Sequence, residues 1–307
     1  MASFSATDAA FEGFRLTKEQ PKTLLIWAAF NLVISIVTLV LLIGVGGEAL
    51  AAMMALESAG SDPDPAQAMA TFSQLGVVYA LLLPIGLITQ SMLGAAVYRA
   101  VLRPQEGGVG FLKLGGDELR LVALSIIYFF LMILGVVGVT LVASLVVGLA
   151  GRAIGGPAAA LLGVGVGLFV SGLMVFVVVR LSLAGVITYA RKKISVFDSW
   201  GLTRGHFWQI IGTYVLTLAA VIVVMMLSLI VFAALAAVAT GGDLAAVGKV
   251  FSPDFSSLAS YMTPTMIAYT VFGAVLNAIY YAAIFAPHAI IYRGLSGDVE
   301  ANAEVFA

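Results

Sequence analysis

Six long apolar runs divide the chain, at about 24–45, 72–97, 121–149, 158–187, 210–239 and 263–292. Each meets or exceeds the about 20 residues with which a helix crosses a hydrocarbon core of about 30 Å. Strands of a membrane barrel would be about 10 residues long and alternate in polarity. Backbone polar groups in hydrocarbon must be satisfied within the protein, which leaves the helix as the spanning form. The predicted fold is therefore all-α and polytopic, with six transmembrane helices. Several runs are longer than the bilayer requires, which predicts tilt or helix ends that project past the hydrocarbon. The first run is also longer than the about 7–15 apolar residues of a signal peptide, so it reads as a retained span.

Composition agrees with this picture. Of the 307 residues 62% are hydrophobic and 10% charged, against about 45–50% and about 25% in soluble domains. Lipid must solvate part of such a surface. There are no cysteines, which removes disulfides, thiolate metal sites and a cysteine nucleophile. His206 and His288 are the only histidines, little for a metal site, and no metal or cofactor is expected.

The basic residues give an orientation. Arg15, Lys18 and Lys22 precede the first run, and Arg99, Arg103, Lys113 and Arg120 follow the second. Arg180, Arg191, Lys192, Lys193 and Arg204 surround the end of the fourth, and Arg293 follows the sixth. Only Arg152 and Lys249 fall on the other side, whose first loop, 46–71, carries Glu48, Glu57, Asp62 and Asp64. By the positive-inside rule the basic side, with both termini, is cytoplasmic.

A short pattern recurs. Phe11-Glu12-Gly13-Phe14-Arg15-Leu16-Thr17-Lys18 precedes the first run, and Phe197-Asp198-Ser199-Trp200-Gly201-Leu202-Thr203-Arg204 precedes the fifth. Phe111, Leu114, Asp117 and Glu118 form a looser version before the third. The even runs end alike, at Tyr98-Arg99, Tyr189-Ala190-Arg191 and Tyr292-Arg293. These matches predict three helical hairpins in a pseudo-threefold repeat, at about 8–107, 108–194 and 195–296, with a tail at 297–307. The repeats are parallel rather than inverted.

Within the unit, Phe11 and Phe14, or Phe197 and Trp200, share one helix face, as in a short helix lying in the membrane interface. Ser195 with Asp198 resembles a capping box, and Thr17 with Gln20 is placed to cap the first span. The span-end tyrosines fit an aromatic belt, with the arginine beyond each in reach of phosphate. Such an elbow, with Thr17 and Thr203 at its end, is either a lipid-headgroup or partner site, or an anchor that orients its hairpin.

This elbow, repeated around six helices, resembles a family of uncharacterised bacterial inner-membrane proteins similar to the membrane domain fused to some glycerophosphodiester phosphodiesterases. The resemblance covers most of the chain but rests on a short motif. It implies a membrane module of the bacterial inner membrane, associated with lipids or envelope partners. The soluble phosphodiesterase domain with its metal ligands is not in this sequence, so no enzymatic activity is implied.

Arg180 interrupts an apolar run about 15 Å before the Arg191-Lys192-Lys193 cluster, at 1.5 Å per helical residue. A charge there is costly and points to function. It either clamps a phosphate or carboxylate, or snorkels from a span that ends near it. Asn277, Tyr281 and His288 share a face of the sixth span, and Gln90 lies at a depth similar to Arg180. They either line a polar cavity or make interhelical hydrogen bonds worth about 0.6–2 kcal/mol each. Gly163, Gly167 and Ser171, with Thr140, Ser144 and Gly148, form small-residue ridges that predict close packing of the third and fourth spans. Gly163, Gly165 and Gly167 have no preceding strand, so they are not a dinucleotide loop. Pro84 and Pro287 are expected to kink their helices.

No Ser/His/Asp set, HExxH motif or paired intramembrane carboxylate occurs. The absence of acidic residues from the span centres argues against proton-coupled transport. Anionic lipid explains the basic fringe more simply than nucleic acid does. The expectation is a non-enzymatic membrane protein with anionic lipid headgroups as partners on the cytoplasmic side. A membrane-protein partner or a second copy of the chain is compatible with it. The alternative is a transporter or channel for a small or amphipathic solute, with a path near Gln90, Arg180, Asn277 and His288.

Overall fold

The computed structural model describes residues 4–59, 65–243, 247–248 and 254–305. Asp62, Asp64 and Lys249 lie outside them. The described chain is helical with short connections. Helix α1 (Ala6–Glu19) leads into α2 (Pro21–Ala59) and α3 (Pro65–Leu102). A 3-10 turn at Pro104–Glu106 precedes α4 (Gly116–Ile154) and α5 (Gly156–Leu181). Short helices α6 (Ala184–Arg191) and α7 (Asp198–Leu202) come before α8 (Phe207–Ala239). Helix α9 (Leu258–Tyr261) and the long α10 (Pro264–Val305) complete the order.

Among the described residues six helices are long and apolar enough to cross a membrane; five predicted runs fall within them, and the sixth begins one residue early, at Thr263. They extend past the predicted boundaries. Helix α4 has 39 residues, about 58 Å at 1.5 Å per residue, nearly twice the hydrocarbon thickness. Residues after 45 that read as a loop continue α2 to Ala59, and the predicted tail continues α10. Pro84 and Pro287 sit inside α3 and α10. Of the three elbows, two are helical, at α1 and α7. Before α4 the chain instead turns through Gly110, at φ 60°, and Phe111, at φ 58°. There Glu118 caps α4 by accepting the Gly115 N–H at 3.0 Å.

Two compact units are distinguished: Met1–Ala9, Lys113–Tyr214 and Pro287–Ala307 form one, and Ala10–Leu112 with Val215–Ala286 the other. In the second unit α2 packs on α3, and Phe232 of α8 meets Tyr269 and Phe272 of α10 at ring-centroid distances of 5.1 and 6.0 Å. Between helices in lipid, close approach of small residues and interhelical hydrogen bonds replace the hydrophobic effect as the cohesive force. Here Ala274, Ala278, Ala282 and Ala286 form a fully buried ridge at four-residue spacing on α10. Gly13 of α1 lies so near it that a Cβ would stand 2.4 Å from the Ala282 carbonyl oxygen.

The turn before α4 is tied to the spans by long side chains. Trp27 of α2 donates its indole N–H to the Gly110 carbonyl at 2.7 Å, and buried Arg99 of α3 donates to the Phe111 carbonyl. Trp27→Phe keeps the ring and removes one buried donor. It is expected to cost about 1 kcal/mol, read as a lower midpoint of unfolding in mixed micelles.

Of the small-residue ridges predicted between the third and fourth spans, Gly163 lies at the contact and the other members do not. Helices α4 and α5 do pack together, but through Gly163 beside Val147 and Gly151 beside Ala159. Thr140, Ser144, Gly148, Gly167 and Ser171 are exposed. Gly163, nearest the turn between the helices, is at the contact, whereas Gly167 and Ser171, further along α5, are exposed.

Candidate functional site

Helix α5 stops at Leu181, and α6 resumes the path at Ala184. The interruption frees main-chain groups that a continuous helix would pair, and hydroxyls take them up. Ser199 of α7 donates to the Arg180 carbonyl at 2.7 Å and accepts the Leu183 N–H at 3.1 Å. Tyr128 of α4 reaches the Leu181 carbonyl at 3.4 Å and the Val196 carbonyl at 2.8 Å. Ser182 donates to the Val179 carbonyl at 2.8 Å and receives the Tyr214 hydroxyl at 2.7 Å. Tyr214 in turn meets the ring of His288 edge-on at 5.5 Å.

Arg180 stands at this break. Its guanidinium carbon lies 5.2 Å from the ring centre of Phe176, 5.7 Å from Trp200 and 5.9 Å from Phe207. Cation–π contacts at such distances contribute about 0.5–2 kcal/mol each, the upper value where water is excluded. One N–H donates to the Thr203 hydroxyl at 3.3 Å, while the buried Nε has no partner. Among the described residues no carboxylate pairs with it. The half-buried cation thus has an aromatic surround, spare donors and, among the described residues, no counter-charge. A phosphate or carboxylate suits that combination, because the fork of guanidinium donors matches its oxygens.

Two predicted features converge here. Trp200 and Thr203 belong to the elbow, and both touch Arg180. Phe197 and Trp200 are exposed, Trp200 at 42%. The nearby surface is basic: exposed Arg191 forms an ion pair with Asp198 at 3.0 Å, and Lys192, Lys193 and Arg204 are exposed. In the first elbow Phe11 is exposed and Phe14 half-buried, with ring centres 6.3 Å apart. There Thr17 donates back to the Phe14 carbonyl at 2.9 Å.

Several expectations are corrected. The predicted capping boxes do not form: Gln20 accepts from Thr23 at 3.2 Å, and Ser195 gives its main-chain N–H to Thr188 at 3.0 Å. Tyr98 and Tyr189 are 2% and 0% exposed, so they pack inside the protein and form no outer belt. Tyr98 stands edge-on to Phe285 at 5.6 Å. Helix α5 ends at Leu181, next to Arg180, and Ala184, Val186, Ile187, Thr188 and Tyr189 beyond it are buried.

The other candidates divide between the units. Arg180 and His288 belong to the first; Gln90, Asn277 and Tyr281 belong to the second. Gln90 is exposed, and its neighbour Thr89 is the buried one. Asn277 donates to the Gly273 carbonyl at 2.9 Å, and Tyr281 stacks on Phe285 at 6.2 Å. Asn277 and Tyr281 line a cavity of about 470 Å³. Sequence reasoning overlooked Asn31, Ser35 and Thr38 on that cavity, although their spacing marks one helical face. It also overlooked Ser199 as a main-chain staple, for which no sequence signal exists. Among the described residues no three His, Cys, Asp or Glu side chains gather as metal ligands would.

Comparison with protein families, with curated proteins and with solved structures finds no match. The functional reading rests on these side chains.

Proposed function

We propose that this chain is a non-enzymatic integral membrane module that holds anionic lipid headgroups beside Arg180 and organises lipid or protein partners around it. In this reading the basic side faces the cytoplasm of a bacterium, and both termini lie there. The observation that carries it is a guanidinium ringed by Phe176, Trp200 and Phe207 without a carboxylate partner. Exposed Trp200 and Trp208 favour a position at the headgroup level. The basic bias of the sequence and its resemblance to a bacterial inner-membrane family point the same way.

A three-hairpin repeat belongs to the same proposal. Gly13 meets α10 at Ala282 and Ala283, nine to ten residues before Tyr292. Ser199 meets the helix path at Arg180, nine residues before Tyr189. The two elbows thus dock at matching distances from the repeated tyrosine.

The test is lipid retention after extraction into native-lipid discs. Arg180→Ala is expected to lower retained phosphatidylglycerol about tenfold or more, as loss of a charge-assisted pair implies. Arg180→Lys, which keeps the charge but not the fork, should fall between. Equal anionic lipid on wild type and Arg180→Ala would sink the reading. Solute flux in proteoliposomes that disappears with Arg180→Ala would replace it with a transporter.

A further inference from the structure

The second unit holds a site of different chemistry. Helices α2, α3 and α10 leave between them the cavity of about 470 Å³, within the about 300–1,000 Å³ range of small-molecule sites. Its polar lining includes Asn31, Ser35 and Thr38 from α2, Thr89 from α3, and Asn277 and Tyr281 from α10. The first three follow at helical spacing, as do the last two, so each set is a stripe on one helix face. Among the described residues, no Asp, Glu, Lys, Arg or His lines the space.

The hydrogen-bond state of these groups is informative. Hydroxyls in apolar helices usually bond back to the preceding turn, as Thr270 does to the Met266 carbonyl at 2.8 Å. Ser35, Thr38 and Thr89 do not, and the Thr89 oxygen is buried without a partner in a residue 4% exposed. Asn31 and Asn277 each donate Nδ2 to their own helix, at 2.9 Å to Trp27 and Gly273. Neither amide oxygen has a protein partner. The cavity therefore offers amide acceptors and hydroxyls that can both donate and accept. The buried Thr89 oxygen requires a partner in a membrane interior, and a guest in the cavity can supply it while bonding to the more open hydroxyls and amides beside it.

A charged guest would leave water without a counter-charge, at a large desolvation cost. An uncharged guest with several hydroxyls matches donors and acceptors together. Leu39, Leu42, Leu82 and Ile85 complete the wall, so an alkyl segment is accommodated beside the polar stripes. We propose that this cavity binds an uncharged, hydroxyl-rich group, carried either by a free polyol or as the headgroup of a neutral lipid.

The experiment measures binding to full-length protein in lipid discs, corrected for partition into protein-free discs. The probes are dodecyl maltoside, dodecylphosphocholine and dodecyl sulfate, which share a chain and differ in headgroup. Dodecyl maltoside is expected to bind about tenfold more tightly than either the zwitterionic or the anionic probe. Thr89→Val, an isosteric change, should weaken it several-fold, and adding Asn277→Leu should bring the loss to about tenfold or more. Thr89→Ser should keep wild-type binding. If the double variant loses its helical circular dichroism, Thr89→Val alone carries the test. Competition by free maltose would assign the site to a soluble polyol, and its absence to a neutral lipid; either supports the proposal. Arg180→Ala should bind dodecyl maltoside as wild type does, which separates this site from the anionic one. Equal affinity for all three headgroups, or wild-type binding by Thr89→Val and the double variant, overturns it.

Discussion

Gly13→Leu is expected to undock the N-terminal helix. A Cβ at this position would stand 2.4 Å from the Ala282 oxygen and 2.5 Å from the Ala283 Cα. Those are main-chain atoms of a helix, which cannot swing aside as a side-chain tip can. The added branch must therefore push α1 away from α10 at Ala282 and Ala283. Overpacking commonly costs about 1–3 kcal/mol and occasionally more, and a leucine against main chain belongs at the upper end. Gly13→Ala should show the smaller part of the effect. Limited proteolysis reads it directly, through faster cleavage at Arg15 and Lys18 in the variant. Wild-type cleavage and an unchanged unfolding midpoint for Gly13→Leu would refute the contact.

Ser199→Ala carries the second large effect. One oxygen serves both the Arg180 carbonyl and the Leu183 N–H, and its removal strands two main-chain groups inside the protein. Each unsatisfied buried group costs about 1–3 kcal/mol, so about 2–6 kcal/mol is expected in the unfolding free energy. Because Ser199 also brings Trp200 and Thr203 to Arg180, anionic lipid retention should fall with stability. Faster hydrogen exchange at the Leu183 amide would localise the damage. A loss below about 0.5 kcal/mol, the scale of an ordinary surface change, would show that the hydroxyl is not a staple.

The spans were legible because about 20 consecutive apolar residues have few other uses. Their ends were less so. Exposed Glu48 remains helical past the end of the first apolar run, and hydropathy alone is blind to a helix that continues through polar residues. The elbow was visible as a pattern, yet its partner was not. Trp200 and Thr203 reach Arg180 only because the helix path breaks at Ser182 and Leu183, where no proline marks the spot. The close-packed ridge was misplaced for a related reason. Four-residue spacing of small side chains occurs on several helices, and the spacing does not say which face meets a neighbour. Gly163 and Gly167 carry the same signal as Ala278 and Ala282, but only the alanines are fully buried. The span-end tyrosines were assigned to lipid on residue type alone, whereas packing drew Tyr98 and Tyr189 inside.

The indole beside Arg180 has a use of its own. The chain has three tryptophans; Trp27 is sealed at 1% exposure and Trp208 lies open on the surface. With Trp208 replaced by phenylalanine, changes in emission on adding anionic lipid report the ring at position 200. If an anion at the proposed site draws the guanidinium off that ring, its quenching changes, so the proposed occupancy would be readable as light, without a label, in the bilayer itself.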